Sequence, residues 1–120
     1  MRLPKKTDAE KRTRDEAIAK ATRLATEVPL ETLLLANDAA ELADTVARKG
    51  SPGALSDAAV AAAQAGAAAE GAWMNVVINL GRIADRDFAR SARQRSDAAI
   101  DRVRKTTIRT LRAARRKLTP

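Results

Sequence analysis

The sequence predicts an all-α fold, a multihelical bundle, on three observations. Strong helix formers, chiefly Ala, Leu, Arg, Lys and Glu, fill most positions. Only four prolines and five glycines interrupt them. No stretch alternates apolar and polar residues for long enough to mark a strand. At 120 residues the chain amounts to one domain or less. Its apolar residues comprise 28 alanines and only 26 larger side chains. A core built from this chain alone is therefore thin. Ala-rich faces let helices approach closely, which predicts a tight helical assembly or oligomer.

Four helical segments are expected. The first opens at Thr7, where Thr7-x-x-Glu10 has the form of a capping box. Ala17, Ile18, Ala21, Leu24, Ala25 and Val28 then share one face at three- and four-residue spacing. Pro29 has no N–H and crowds the preceding turn, which predicts a break or kink near Val28. A second helix runs from Leu30 to Lys49 with two apolar stripes. Leu35, Ala39, Leu42 and Val46 form one; Ala36, Ala43 and Ala47 form the other, so this helix is expected to touch more than one neighbour. Gly50 after Arg48-Lys49 suits a C-cap, with cations at the negative end of the dipole.

The third helix is expected to start with Ser56 as N-cap and Asp57 in its first turn. From Val60 to Leu80 its only charged residue is Glu70. That stretch is long enough to span a bilayer. Its alanines and glycines are weakly apolar, however, and Gln64, Glu70, Asn75 and Asn79 are costly in lipid. A central helix shielded by other helices fits better. Ala63, Ala67 and Gly71 form a small-residue ridge on it. The last helix is expected over Asp85–Leu118, with Ser91 and Ser96 as places for a break. Its seam is Ile100, Val103, Thr107, Leu111, Ala114 and Leu118.

The chain has no cysteine and no histidine, which excludes disulfides, zinc fingers and Ser-His or Cys-His catalysis. Acid–base chemistry must then use Asp, Glu, Lys or a bound water. The start Met1-Arg2-Leu3-Pro4-Lys5-Lys6 lacks the apolar stretch of a secretory signal, so a soluble, cytoplasmic protein is expected. The net charge of +8 is lopsided: residues 82–120 hold 13 Lys or Arg against 4 Asp or Glu. Such a basic helix can track phosphates. Only Trp73 and Phe88 could stack, and both precede its densest cationic stretch, Arg102–Lys117, which disfavours base recognition by stacking.

Several residues stand out for chemistry. Asp57 beside Ser56 at a helix start can orient water or serve only the dipole. Asn75 and Asn79 lie one turn apart and can bind a ligand edge or bridge helices. Glu70, alone on an apolar helix, calls for an arginine partner or a functional role. Trp73 reads as a core or interface anchor, or as a stacking platform.

Three stretches carry a family resemblance. They are Leu3-Pro4-Lys5 with Thr7–Arg14, then Glu27-Val28-Pro29-Leu30, then Gly50–Asp57 running on to Glu70-Gly71-Ala72 and Asn75-Val76-Val77-Ile78-Asn79-Leu80. In this order they resemble formiminotransferase-cyclodeaminase and methenyltetrahydrofolate cyclohydrolase domains, over roughly residues 2–88. Ser51 stands where the family usually has asparagine. The resemblance implies an all-helical, intertwined dimer or larger homo-oligomer. It implies one-carbon chemistry on a tetrahydrofolate derivative as substrate, with no permanently bound cofactor and no metal. Asp57 is then the catalytic candidate, with Ser56, Asn75, Asn79 and Lys5 as substrate-binding candidates. The family's Gly-rich opening segment has no counterpart in residues 1–120, so the expectation is either that a separate chain supplies that half or that the chain is a truncated remnant or an engineered fragment. The alternatives are a non-catalytic helical assembly protein and a basic nucleic-acid-binding helical protein.

Overall fold

The computed structural model describes Leu3 and residues 7–119. Three long helices run up, down and up: α1 (Asp8–Lys49), α2 (Leu55–Leu80) and α3 (Arg86–Leu118). The bundle is a slender rod of 72 × 23 × 17 Å. Among the described residues no helix is long and apolar enough to cross a membrane.

The caps set the boundaries. Thr7 Oγ1 accepts the Glu10 N–H at 3.1 Å and opens α1. Gly50 ends it, its N–H donating to the Val46 carbonyl at 2.7 Å. A Cβ at Gly50 would stand 2.5 Å from that carbonyl oxygen, so no larger residue fits without a shift. A short 3-10 turn, Pro52–Ala54, then leads into α2. Asp85 caps α3 by accepting the Phe88 N–H at 3.1 Å.

Three expectations about boundaries are corrected. The break at Pro29 does not occur: α1 is continuous, with Pro29 inside it. Ser56 is not the N-cap, because α2 already begins at Leu55, although Asp57 does lie in the first turn. Helix α3 runs unbroken through Ser91 and Ser96, and the Ser96 hydroxyl donates to the Arg93 carbonyl at 3.0 Å rather than disturbing the ladder.

The core is thin, as composition implies. Among the described residues 21 apolar ones are buried and 13 of these are alanine, leaving eight larger side chains to supply most of the apolar burial. Leu33, Ala40, Ala69, Ala99, Ile100 and Val103 form its centre. Which apolar stripe faces inward was not legible. In α1, Ala36, Ala43 and Ala47 are buried, whereas Leu35, Leu42 and Val46 are 60%, 68% and 42% exposed. The stripe through Leu24 and Val28 also faces out, and the fully buried residue of that stretch is Thr26, whose hydroxyl donates to the Thr22 carbonyl at 3.0 Å. Helix α2 is likewise shielded on one side only: Ala62, Ala65, Ala69 and Val76 are buried, while Val60, Met74 and Ile78 are 57–70% exposed. In α3, Ile100, Val103, Thr107 and Ala114 are buried, but Leu118 is exposed.

Polar clasps tie α3 to its neighbours. Asp44 is buried on α1, with Arg48 Nε at 3.0 Å and Arg109 Nη2 at 3.1 Å. Thr110 Oγ1 lies 2.8 Å from both Asp44 Oδ1 and the Thr106 carbonyl, so its single proton serves one of them at a time. Burial by itself pushes the Asp44 carboxyl up; the Thr110 hydroxyl and the two arginines outweigh it and hold the group below the usual carboxylate range.

Candidate functional site

The most distinctive polar arrangement lies where α1 passes the end of α2. Pro29 has no N–H, so the carbonyl of Ala25, four residues earlier, loses its helical donor. Asn79 replaces that donor: its Nδ2 donates to the Ala25 carbonyl at 3.2 Å and to the Asn75 carbonyl at 2.8 Å. Two widely separated motifs, Glu27-Val28-Pro29-Leu30 and Asn75-Val76-Val77-Ile78-Asn79-Leu80, are thereby one structural unit. Asn79→Leu removes this hydrogen bond, at a cost of about 0.5–1.5 kcal/mol. The expected lower urea midpoint is measurable by circular dichroism; an unchanged midpoint would show that water serves Ala25 equally well.

This junction forms one wall of an open groove of about 530 Å³ between α1 and α2. Val28, Pro29 and Thr32 line one side; Ala67, Gly71, Asn75 and Asn79 line the other. Gly71 leaves open space where a Cβ would stand. Asn75 is exposed in the groove, and among the described residues its side chain has no partner. The lining therefore offers apolar walls, a hydroxyl and amides, a set suited to hold a planar polar ligand. It contains no carboxylate and no amine.

The other expected site residues lie elsewhere. Asp57 and Ser56 are exposed at the opposite end of α2. The 22 residues from Asp57 to Asn79 span about 33 Å of helix, so one chain does not bring them together. Lys5 lies outside the described residues. Glu70 has the arginine partner its position calls for: Arg104 donates to both its oxygens, at 2.6 and 2.9 Å. That contact holds the Glu70 carboxyl below its ordinary range against the opposing effect of burial. Trp73 anchors the α2–α3 interface, donating to Asp97 Oδ1 at 2.9 Å.

A second groove of about 440 Å³ lies between the first half of α1 and the α2–α3 turn. Arg23 stands there 4.2 Å from the centre of the Phe88 ring and pairs with Glu27 at 3.0 Å. Arg23 thus ties α1 to the start of α3, its Nη1 also lying 3.9 Å from Asp85 Oδ2.

Sequence reasoning missed the Asn79–Ala25 clasp and the Asp44 cluster. The first had a signal in Pro29, since a proline inside a helix always leaves a carbonyl to be served. The second had one too: Asp44 sits among Ala40, Ala43 and Ala47, so a charge there needs partners.

The geometry defines a half-open helical bundle, with a ligand-sized groove bordered by exposed apolar side chains and lacking its own proton-transfer group. The chain belongs to the formiminotransferase-cyclodeaminase family, whose model matches residues 1–98. It is 41% identical over 87 residues to the methenyltetrahydrofolate cyclohydrolase of Methylorubrum extorquens. That alignment covers 72% of this chain but 42% of the relative, so the chain spans less than half of that protein's length.

Proposed function

We propose that this chain forms part of a folate-dependent one-carbon enzyme, a methenyltetrahydrofolate cyclohydrolase or formiminotetrahydrofolate cyclodeaminase, and works as a homodimer. The observation that carries this reading is the groove at Pro29, Asn75 and Asn79, built by motifs that resemble the family's. The amide of Asn75 is free to hydrogen-bond the edge of a pterin ring.

Hydrolysis of a methenyl adduct requires water to add to the bridging carbon and lose a proton, after which one carbon–nitrogen bond opens. A positioned base assists that proton loss. The groove's own lining has none, and Asp57 is the carboxylate best placed to supply it from a second copy. An antiparallel pair of α2 helices with its two-fold axis at Ala67 sets Ala63 against Gly71 and Val60 against Met74. The small residues permit close approach, and the exposed large ones cover each other. Asp57 lies ten residues before Ala67, and Val77 ten after it. Asp57 of the partner subunit then stands between Asn75 and Asn79, at the mouth of the groove.

The test is turnover of methenyltetrahydrofolate, followed by its absorbance, with this chain alone and with the remainder of the family domain added. Catalysed loss of absorbance in either case supports the assignment. No turnover in either case contradicts it.

A further inference from the structure

We propose that the outward ridge of α3 binds the phosphodiester backbone of duplex nucleic acid, without reading its bases. Arg102, Lys105, Arg109, Arg112 and Arg116 recur at three- and four-residue spacing and so form one ridge, about 21 Å long. All five are exposed. Residues 99–120 carry eight Lys or Arg against one Asp, and they lie beyond the stretch that the family shares. The ridge is therefore a separate feature of this chain, independent of the groove.

The pairing on α3 is uneven. Arg93 and Arg104 are neutralised by Asp97 and Glu70. Among the described residues, Arg109 alone of the ridge meets a carboxylate, donating one Nη2 contact to Asp44 and leaving the rest of its guanidinium outward. Like charges three and four residues apart repel one another, so the bare ridge is self-repelling, and a polyanion laid along it removes that repulsion. The helix beneath is held in place by Asp44 and by Lys117, whose Nζ donates to the Ala47 carbonyl at 2.9 Å. The cations thus project from a fixed rod. Lys105, Ile108, Arg109, Arg112 and Arg116 line a shallow groove along it.

The chemistry favours a duplex over other polyanions. Binding of single strands draws on aromatic stacking, and the ridge has no aromatic residue. Seating in a membrane needs an apolar face, and only Ile108 stands among these cations. Duplex DNA presents one negative charge per about 1.7 Å of axis, so cations spaced roughly 5 Å apart along the ridge each meet a phosphate with no base contact required.

Fluorescence anisotropy with a labelled 24-base-pair DNA duplex tests this on the full chain. At 50 mM salt the expected Kd is about 0.01–2 µM for unrelated sequences alike. Raising salt to 200 mM should weaken binding by roughly 100- to 1000-fold, as four to five phosphate contacts require. Replacing Lys105, Arg112 and Arg116 by Ala together should lower the salt slope by about three. Alanine keeps helix propensity, which circular dichroism verifies, and Gln at the same positions gives a second variant should the first misfold. The triple Lys11→Ala, Arg12→Ala, Lys20→Ala variant on α1 should bind like the parent. Four results would overturn the proposal: no duplex binding at 50 mM salt, equal loss in both triple variants, binding confined to anionic phosphatidylserine vesicles, or binding confined to polyglutamate.

Discussion

Leu33→Ala is expected to melt the bundle at or near room temperature. Leu33 is fully buried at the centre of the three helices, next to Ala36, Ala69, Ile100 and Val103. Alanine neighbours cannot swing into the space a lost isobutyl group leaves, so the cavity persists and the cost falls at about 3–5 kcal/mol. Among the described residues only eight apolar side chains larger than alanine are buried, so the loss removes a large share of a stability that starts small. For a domain of this size it lowers the melting midpoint by roughly 10–20 °C, read by circular dichroism at 222 nm. Leu35→Ala is the control. Leu35 is 60% exposed, so its loss leaves the melting of the single chain nearly unchanged. Equal effects at both positions would mean that the inward face of α1 is wrongly assigned.

The second large effect concerns assembly. Ala67→Arg places a cation at the two-fold axis of the proposed α2–α2 contact, where it meets its own copy. Close approach is lost and a like-charge clash is added, so dimerisation weakens by at least about 100-fold. The side chain points to solvent in the single chain, so helix content should not change. Sedimentation velocity at tens of micromolar is expected to show a dimer for the native chain and a monomer for the variant. The same dimeric mass for both would rule out this contact.

How far the sequence could be read follows from the same residues. The helical fold was legible because alanine, leucine and the charged helix formers leave no period of two, and because Thr7, Gly50 and Asp85 punctuate the chain as caps do. The continuity of α1 was not legible. A proline inside a helix is tolerated when another group serves the freed carbonyl, and that group, Asn79, lies 50 residues further along the chain. Periodicity revealed two stripes on α1 but not their destinations. The leucine and valine stripe, the more apolar one, is left outside while alanines pack inside, because small side chains allow three helices to close within a rod of 23 × 17 Å.

The site was legible in its residue types more than in its geometry. Asn75 and Asn79 do line a groove, and Glu70 has its arginine. Asp57 and Asn79 stand at opposite ends of one helix, and in the proposed dimer a second molecule would unite them. The bare α1–α2 face carries the same implication: large exposed aliphatic residues on two adjacent helices mark a surface meant to be covered.

The most direct test of that shared site is to mix two impaired chains. Asp57→Ala removes the proposed base and Asn75→Ala the proposed substrate amide; each variant alone should lose methenyltetrahydrofolate turnover. In a dimer of one of each, one site collects both defects and the other neither. An equimolar mixture that exchanges subunits should therefore recover about a quarter of the native rate. No recovery on mixing, with both variants folded and dimeric, would contradict a site that takes Asp57 from one chain and Asn75 from the other.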